Sequence, residues 1–214
     1  MQSDALNLRK FRGKFIVLDG PDGAGKSTQM RLLAEQLGKA GVAHVTCRDP
    51  GGTRMGDRIR SLLLDQDNLK NMDPACETLL FMASRAQLVA EIIRPALARG
   101  DTVLCDRFVT ATCAYQGAAG YDPQKVIGLA DLAIGNCWPD VTVVLELSAE
   151  AGLSRRGAGR DAMESRSIDF HLAVSRIFKE VEGYYPTPVV YVKAEGSIDE
   201  VHRLIVGELD RVLS

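Results

Sequence analysis

The sequence predicts a doubly wound α/β fold, a five-stranded parallel sheet flanked by helices. The prediction rests on five short apolar runs spaced along the chain, helical patterns between them, and a glycine-rich loop at the first strand-to-helix junction. The runs are Phe15 to Asp19, Ala43 to Arg48, Thr102 to Asp106, Val141 to Leu147 and Val189 to Val192. They are continuous in β-branched and aliphatic residues rather than alternating, which predicts strands covered on both faces, as in a parallel sheet. Lys26 to Ala40 reads as a helix stopped by Gly41, a residue suited to the left-handed turn after a helix. Asp73-Pro74 supplies a cap and a proline at the first helical position for a long helix through LLFMASRAQLVAEII, which Pro95 is expected to kink or end. Ser197 and Glu200 form a capping box for a last helix reaching Leu213. Strand then helix, repeated, predicts right-handed crossovers and a ligand site at the carboxyl ends of the strands.

Size and composition narrow the class. A chain of 214 residues fits one large α/β domain, so residues 1–214 read as a single domain able to bury a core without disulfides or metals. A net charge of -2 lacks the basic excess of a protein that binds a nucleic-acid polymer, so any polyanionic ligand is expected to be small and held locally. The 5 cysteines are odd in number and widely spaced, with no ligand pattern, which points to a reducing compartment. The N-terminal MQSDALNLRKFRGK has no apolar core like that of a signal peptide, and no apolar stretch reaches bilayer length. A cytoplasmic location without membrane contact is the expectation.

The strongest chemical signal is Gly20-Pro21-Asp22-Gly23-Ala24-Gly25-Lys26-Ser27, followed by Thr28, which matches GxxxxGK[ST] between the first strand and first helix. Backbone N–H groups of such a loop turn toward phosphate oxygens, and the helix N-terminus adds partial positive charge. Lys26 would reach the β and γ phosphates of ATP, and Ser27 would ligate Mg²⁺. No NKxD-type motif accompanies the loop and the chain is short for a motor, which leaves a small kinase. Asp106-Arg107 follows the third apolar run, where the sheet opens toward ligand. Arg107 offers a planar fork for the acceptor's phosphate, and Asp106 stands to hold Mg²⁺ through water or to orient Lys26 and Ser27. Alternatively, the two cap the strand as an ion pair.

Four blocks, GPDGAGKST, RDPGGT (Arg48 to Thr53), LLFMASR (Leu79 to Arg85) and DRFVTATCAYQG (Asp106 to Gly117), resemble thymidylate kinase segments in their family order. The resemblance spans most of the chain and implies transfer of phosphoryl from Mg-ATP to dTMP, forming dTDP. It places Asp22 by the 3′-hydroxyl of dTMP, Arg60 and Arg107 on its phosphate, Phe81 stacked on thymine and Arg85 on O4. It also puts Tyr115 beside the deoxyribose C2′ and Gln116 on the base. Phe81 and Arg85, four residues apart, share one helix face. A mobile lid at about 155–167 is implied, though Asp161-Ala162-Met163-Glu164 departs from the Asp-Arg-x-Glu of many bacterial members. Gly23 stands where some members carry an arginine, so the arginine over the transferring phosphoryl must come from the lid. Arg160, beside Gly157 and Gly159, is the first choice and Arg156 the second, while Arg155 ends the preceding helix. A deoxynucleoside kinase is the nearest alternative, but Arg60 together with Arg107 favours a phosphorylated acceptor. A nucleotide-binding scaffold without turnover would be expected to lack Lys26 or Ser27, and both are present. The resemblance further implies a homodimer.

Overall fold

The computed structural model describes residues 8–148, 151–152 and 167–213. Five strands, β1 (Phe15–Asp19), β2 (His44–Arg48), β3 (Thr102–Asp106), β4 (Val141–Glu146) and β5 (Val189–Lys193), form one sheet in the order β2-β3-β1-β4-β5, every pairing parallel. The expected five-stranded parallel sheet is therefore present, with boundaries shifted by a residue in β2, β4 and β5. Side chains alternate between two cores, as the pleat requires. Phe15 and Val17 face one core with Val103, Cys105 and Val144, while Ile16 and Leu18 face the other with Leu104, Val143 and Leu145.

Helices cover each face. Into the Ile16 side pack α1 (Lys26–Lys39) and the final helix α9 (Ile198–Val212), through Met30, Leu33 and Leu37 and through Val201, Ile205 and Leu209. Against the Phe15 side pack α4 (Pro74–Leu88), α6 (Val109–Ala118), α7 (Pro123–Ile134) and α8 (Ile168–Glu180). Two further helices, α2 (Arg54–Leu64) and the short α3 (Gln66–Asn71), lead into α4. The caps follow side-chain chemistry. Asp73 accepts from Ala75 N at 2.8 Å with Pro74 behind it, and Asp122 with Pro123 repeats that arrangement at α7. Ser197 and Glu200 make the expected capping box. By contrast α1 starts at Gly25, which has no side chain to cap it, so its first N–H groups stay available to a ligand.

Two expectations need correction. The strands are not all covered on both faces: β1 is wholly buried, but β2 alternates between half-buried and exposed because it is an edge strand paired only with β3. The long helix is also not kinked or ended at Pro95. It departs from α geometry one turn earlier, in a π turn at Val89–Ile93, and then resumes as α5 (Arg94–Ala98) through the proline. A proline ring clashes with the carbonyl four residues back, here Glu91. Widening the turn before it, with Arg94 N–H donating to Val89 O, absorbs the clash.

Candidate active site

The site is built on the carboxyl ends of β1 and β3, which lie side by side in the sheet. At the end of β1 the loop residue Gly20 has φ 126°, and a Cβ there would run into the Leu145 carbonyl. Gly23 has φ 80°, and its Cβ would stand 2.7 Å from Gly152 O. An arginine at position 23 therefore has no room in this loop. Ala24 anchors the loop in the core below, and Lys26 is buried with Nζ donating to Gly20 O at 3.0 Å and Pro21 O at 2.8 Å. Burial, with Arg107 nearby, pushes the Lys26 ammonium down to about 8 despite Asp22, Asp106 and Asp19. Ser27 Oγ donates to Asp106 Oδ2 at 3.1 Å, while the buried Asp106 Oδ1 has no hydrogen-bond partner among the described residues.

Asp106 and Arg107 do not pair with each other to cap β3. Arg107, a non-glycine residue at φ 68°, turns its side chain back over the loop, with Nη1 donating to Gly20 O at 3.0 Å and Nη2 paired with Asp22. It also lies 3.7 Å from the buried Asp19 and 5.2 Å over the Tyr115 ring. Burial opposes its charge, but Tyr115, Asp22, Asp19 and Asp106 outweigh burial and hold the guanidinium ionised. Tyr115 OH donates to the other Asp22 oxygen at 2.6 Å, so Asp22, Arg107 and Tyr115 form one unit.

This unit opens into a cavity of about 430 Å³ that Gly25, Lys26, Ser27, Thr28, Asp106 and Arg107 line at one end. Arg60, Phe81, Arg85, Tyr115 and Gln116 line it as well. Phe81 packs on Ile59 and Leu63 yet still borders the cavity. Arg85 is no solvated helix charge. Its side chain is 1% exposed and paired with Asp49, Nε donating to Asp49 Oδ2 at 2.6 Å. Nη2 donates to Phe108 O at 3.1 Å and Thr112 Oγ1 at 2.8 Å, and Nη1 approaches Met82 Sδ at 3.2 Å. Gln116 is wholly buried with neither amide atom bonded among the described residues. Arg60 Nη1 donates to Pro50 O at 3.0 Å.

Of the sequence-predicted residues, Asp22, Gly23, Gly25 to Thr28 of the loop, Asp106, Arg107, Arg60, Phe81, Arg85, Tyr115 and Gln116 thus border one cavity, whereas Gly20, Pro21 and Ala24 do not line it. Arg155, Arg156 and Arg160 lie outside the described residues, as does all of the expected lid but Ser167, which caps α8. Sequence reasoning missed two buried carboxylates. Asp19 accepts from Gly20 N, Phe108 N and Thr110 Oγ1, and Asp49 holds Arg85. Each had a signal: Asp19 is the charged end of an otherwise apolar run, and Asp49 is the acid inside RDPGGT.

A parallel sheet whose first crossover is a lysine-bearing phosphate loop, facing an arginine-lined cavity sized for a mononucleotide, belongs to the P-loop kinases that act on nucleoside monophosphates. The particular family is also shown. The family profile "Thymidylate kinase" matches residues 18–205. A thymidylate kinase of Caldanaerobacter subterraneus subsp. tengcongensis is 38% identical over 205 residues, covering 95% of this chain and 98% of its own. Another, from Syntrophotalea carbinolica, is 44% identical over 200 residues, covering 89% and 92%. A third, from an Exiguobacterium species, is 43% identical over 190 residues, covering 87% and 89%. The chain belongs to the thymidylate kinase family.

Proposed function

We propose that the protein transfers the γ-phosphoryl group of Mg-ATP to dTMP by direct in-line displacement, forming dTDP and ADP. The observation that carries the reading is the cavity's two unlike ends. One holds the loop, Lys26 and the uncapped start of α1, suited to polyphosphate; the other holds Phe81, Arg85 and the unpartnered amide of Gln116, suited to a flat, polar-edged base. Arg107 lies between them, where the acceptor's phosphate meets the donor's.

Lys26 holds the β and γ phosphates, and Arg107 turns its fork from Asp22 to the acceptor phosphate. Asp22, released from Arg107, takes the 3′-hydroxyl while Tyr115 keeps it oriented. An oxygen of the dTMP phosphate forms the new P–O bond as the bond to ADP breaks, so no covalent enzyme intermediate arises. Catalysis is then mainly alignment and charge neutralisation. Arg160, with Arg156 as second choice, supplies charge from the lid, since Gly23 leaves no space for an arginine in the loop. Ser27 Oγ and the unpartnered Asp106 Oδ1 fit Mg²⁺, a hard cation that takes its other ligands from phosphate and water. When bound, Mg²⁺ withdraws charge from the phosphates. Among the described residues no group of three His, Cys, Asp or Glu side chains gathers as a metal cage, which suits a metal carried in with the nucleotide.

The test is product analysis with ATP, Mg²⁺ and either dTMP or free thymidine. The proposal expects dTDP from dTMP and no dTMP from thymidine; the reverse would make the protein a nucleoside kinase. A cytoplasmic location and a homodimer belong to the same reading. No described helix is long and apolar enough to cross a membrane. Helices α2, α4 and α7, which pack in series, expose Leu62, Leu79 and Leu132, apolar side chains that a second copy would cover.

A further inference from the structure

We propose that Asp49 is the positioning residue that sets base selectivity by locking the guanidinium of Arg85. The inference rests on the dTMP reading above. Asp49 follows β2 directly, whereas Arg85 comes from α4; the two meet at 2.6 Å with side chains 0% and 1% exposed. Three residues immobilise the guanidinium: Asp49, Phe108 through its carbonyl to Nη2 and its ring at 5.2 Å, and Thr112 of α6 through Nη2. A locked fork presents donors in only one place and discriminates between bases; a swinging one serves a carbonyl or an amino edge with less distinction.

Asp49 is also more than half of a closed structural pair. Its Oδ2 serves Arg85, but Oδ1 is buried without a partner among the described residues, and the residue itself lines the cavity. A carboxylate serving stability alone is ordinarily satisfied on both oxygens. Burial raises its proton affinity and Arg85 lowers it, so the anion depends on its arginine as the arginine's orientation depends on it.

The experiment is steady-state kinetics with dTMP and dCMP on wild type, Asp49→Asn, Arg85→Gln and the double variant. Asp49→Asn keeps the shape and removes the charge. It should raise the KM for dTMP roughly a hundredfold, leave the KM for ATP within about threefold, and bring the dTMP-to-dCMP ratio of kcat/KM near that of Arg85→Gln. The double variant should discriminate no worse than Arg85→Gln alone, because Asp49 acts through that arginine. A wild-type ratio in Asp49→Asn, with only a lowered melting temperature, would reduce Asp49 to a structural role and overturn the inference. Should Asp49→Asn not fold, the charge-neutral double variant decides. A further loss of selectivity beyond Arg85→Gln overturns the inference, and equality sustains it. Failure of the dTMP reading would appear instead in wild type, as preference for another monophosphate.

Discussion

Arg107→Ala is the perturbation that most directly separates substrate binding from loop structure. In the free protein the guanidinium has a side-chain exposure of 20% and makes one hydrogen bond to Gly20 O and a pair with Asp22. Two charge-assisted bonds to a phosphate are worth about 3–5 kcal/mol together. Giving up a partly exposed partner costs about 1 kcal/mol of that. The remainder, about 2–4 kcal/mol, is a loss of roughly 30- to 1000-fold in kcat/KM for dTMP. The assay is initial-rate kinetics at saturating Mg-ATP with dTMP varied, beside calorimetric titration with dTMP and a thermal melt. The KM for ATP should stay within about threefold of wild type, and Arg107→Lys should recover little, since a point charge lacks the fork. A folded Arg107→Ala protein with kcat/KM for dTMP within threefold of wild type would leave Arg107 as a loop clamp and not a phosphate ligand.

Three further outcomes follow from the same geometry. Lys26, pushed down to about 8 by burial and Arg107, is charged below that pH and neutral above it, so ATP affinity should fall as pH rises through 8. The fall should approach tenfold per pH unit, and titrations that stay flat from pH 7 to about 9.5 would contradict it. Arg160→Ala should cut kcat by roughly 10³-fold with little change in dTMP binding; a large loss in Arg156→Ala instead would move the role there. Ser197→Ala, which breaks the α9 capping box at a residue that does not line the cavity, should cost about 1 kcal/mol and about 2–4 °C in melting temperature with kcat unchanged, as calorimetry and initial rates would read.

The fold was legible where local chemistry decides it. The runs that became β1, β3 and β4 are apolar because both faces are covered, and the capped starts at Asp73 and Ser197 carry their signals within three residues. What was not legible depends on neighbours brought from elsewhere in the chain. The edge position of β2 is set by strand order, which no property of HVTCR announces. The π turn before Pro95 is one of several ways to relieve the same clash. At the site, the glycine loop could be read from spacing, and the Arg107 position from its place after β3. The burial of Arg85 could not, because its partner Asp49 lies 36 positions away and the pairing exists only once α4 crosses the end of β2. For the same reason the alternative of an Asp106–Arg107 ion pair could not be settled from adjacency, since the left-handed turn at Arg107 sends its side chain to Asp22.

Selection of thymine on a phosphorylated deoxynucleoside is what the proposed reading requires of this cavity. It is tested most directly by competition in a single reaction: equimolar dTMP, dCMP, dAMP and dGMP with limiting Mg-ATP, the resulting diphosphates separated and counted by anion-exchange chromatography. The geometry of Phe81, Arg85 and Gln116 predicts that dTDP makes up nearly all of the product. A mixture in which dCDP, dADP or dGDP equals or exceeds dTDP would contradict it.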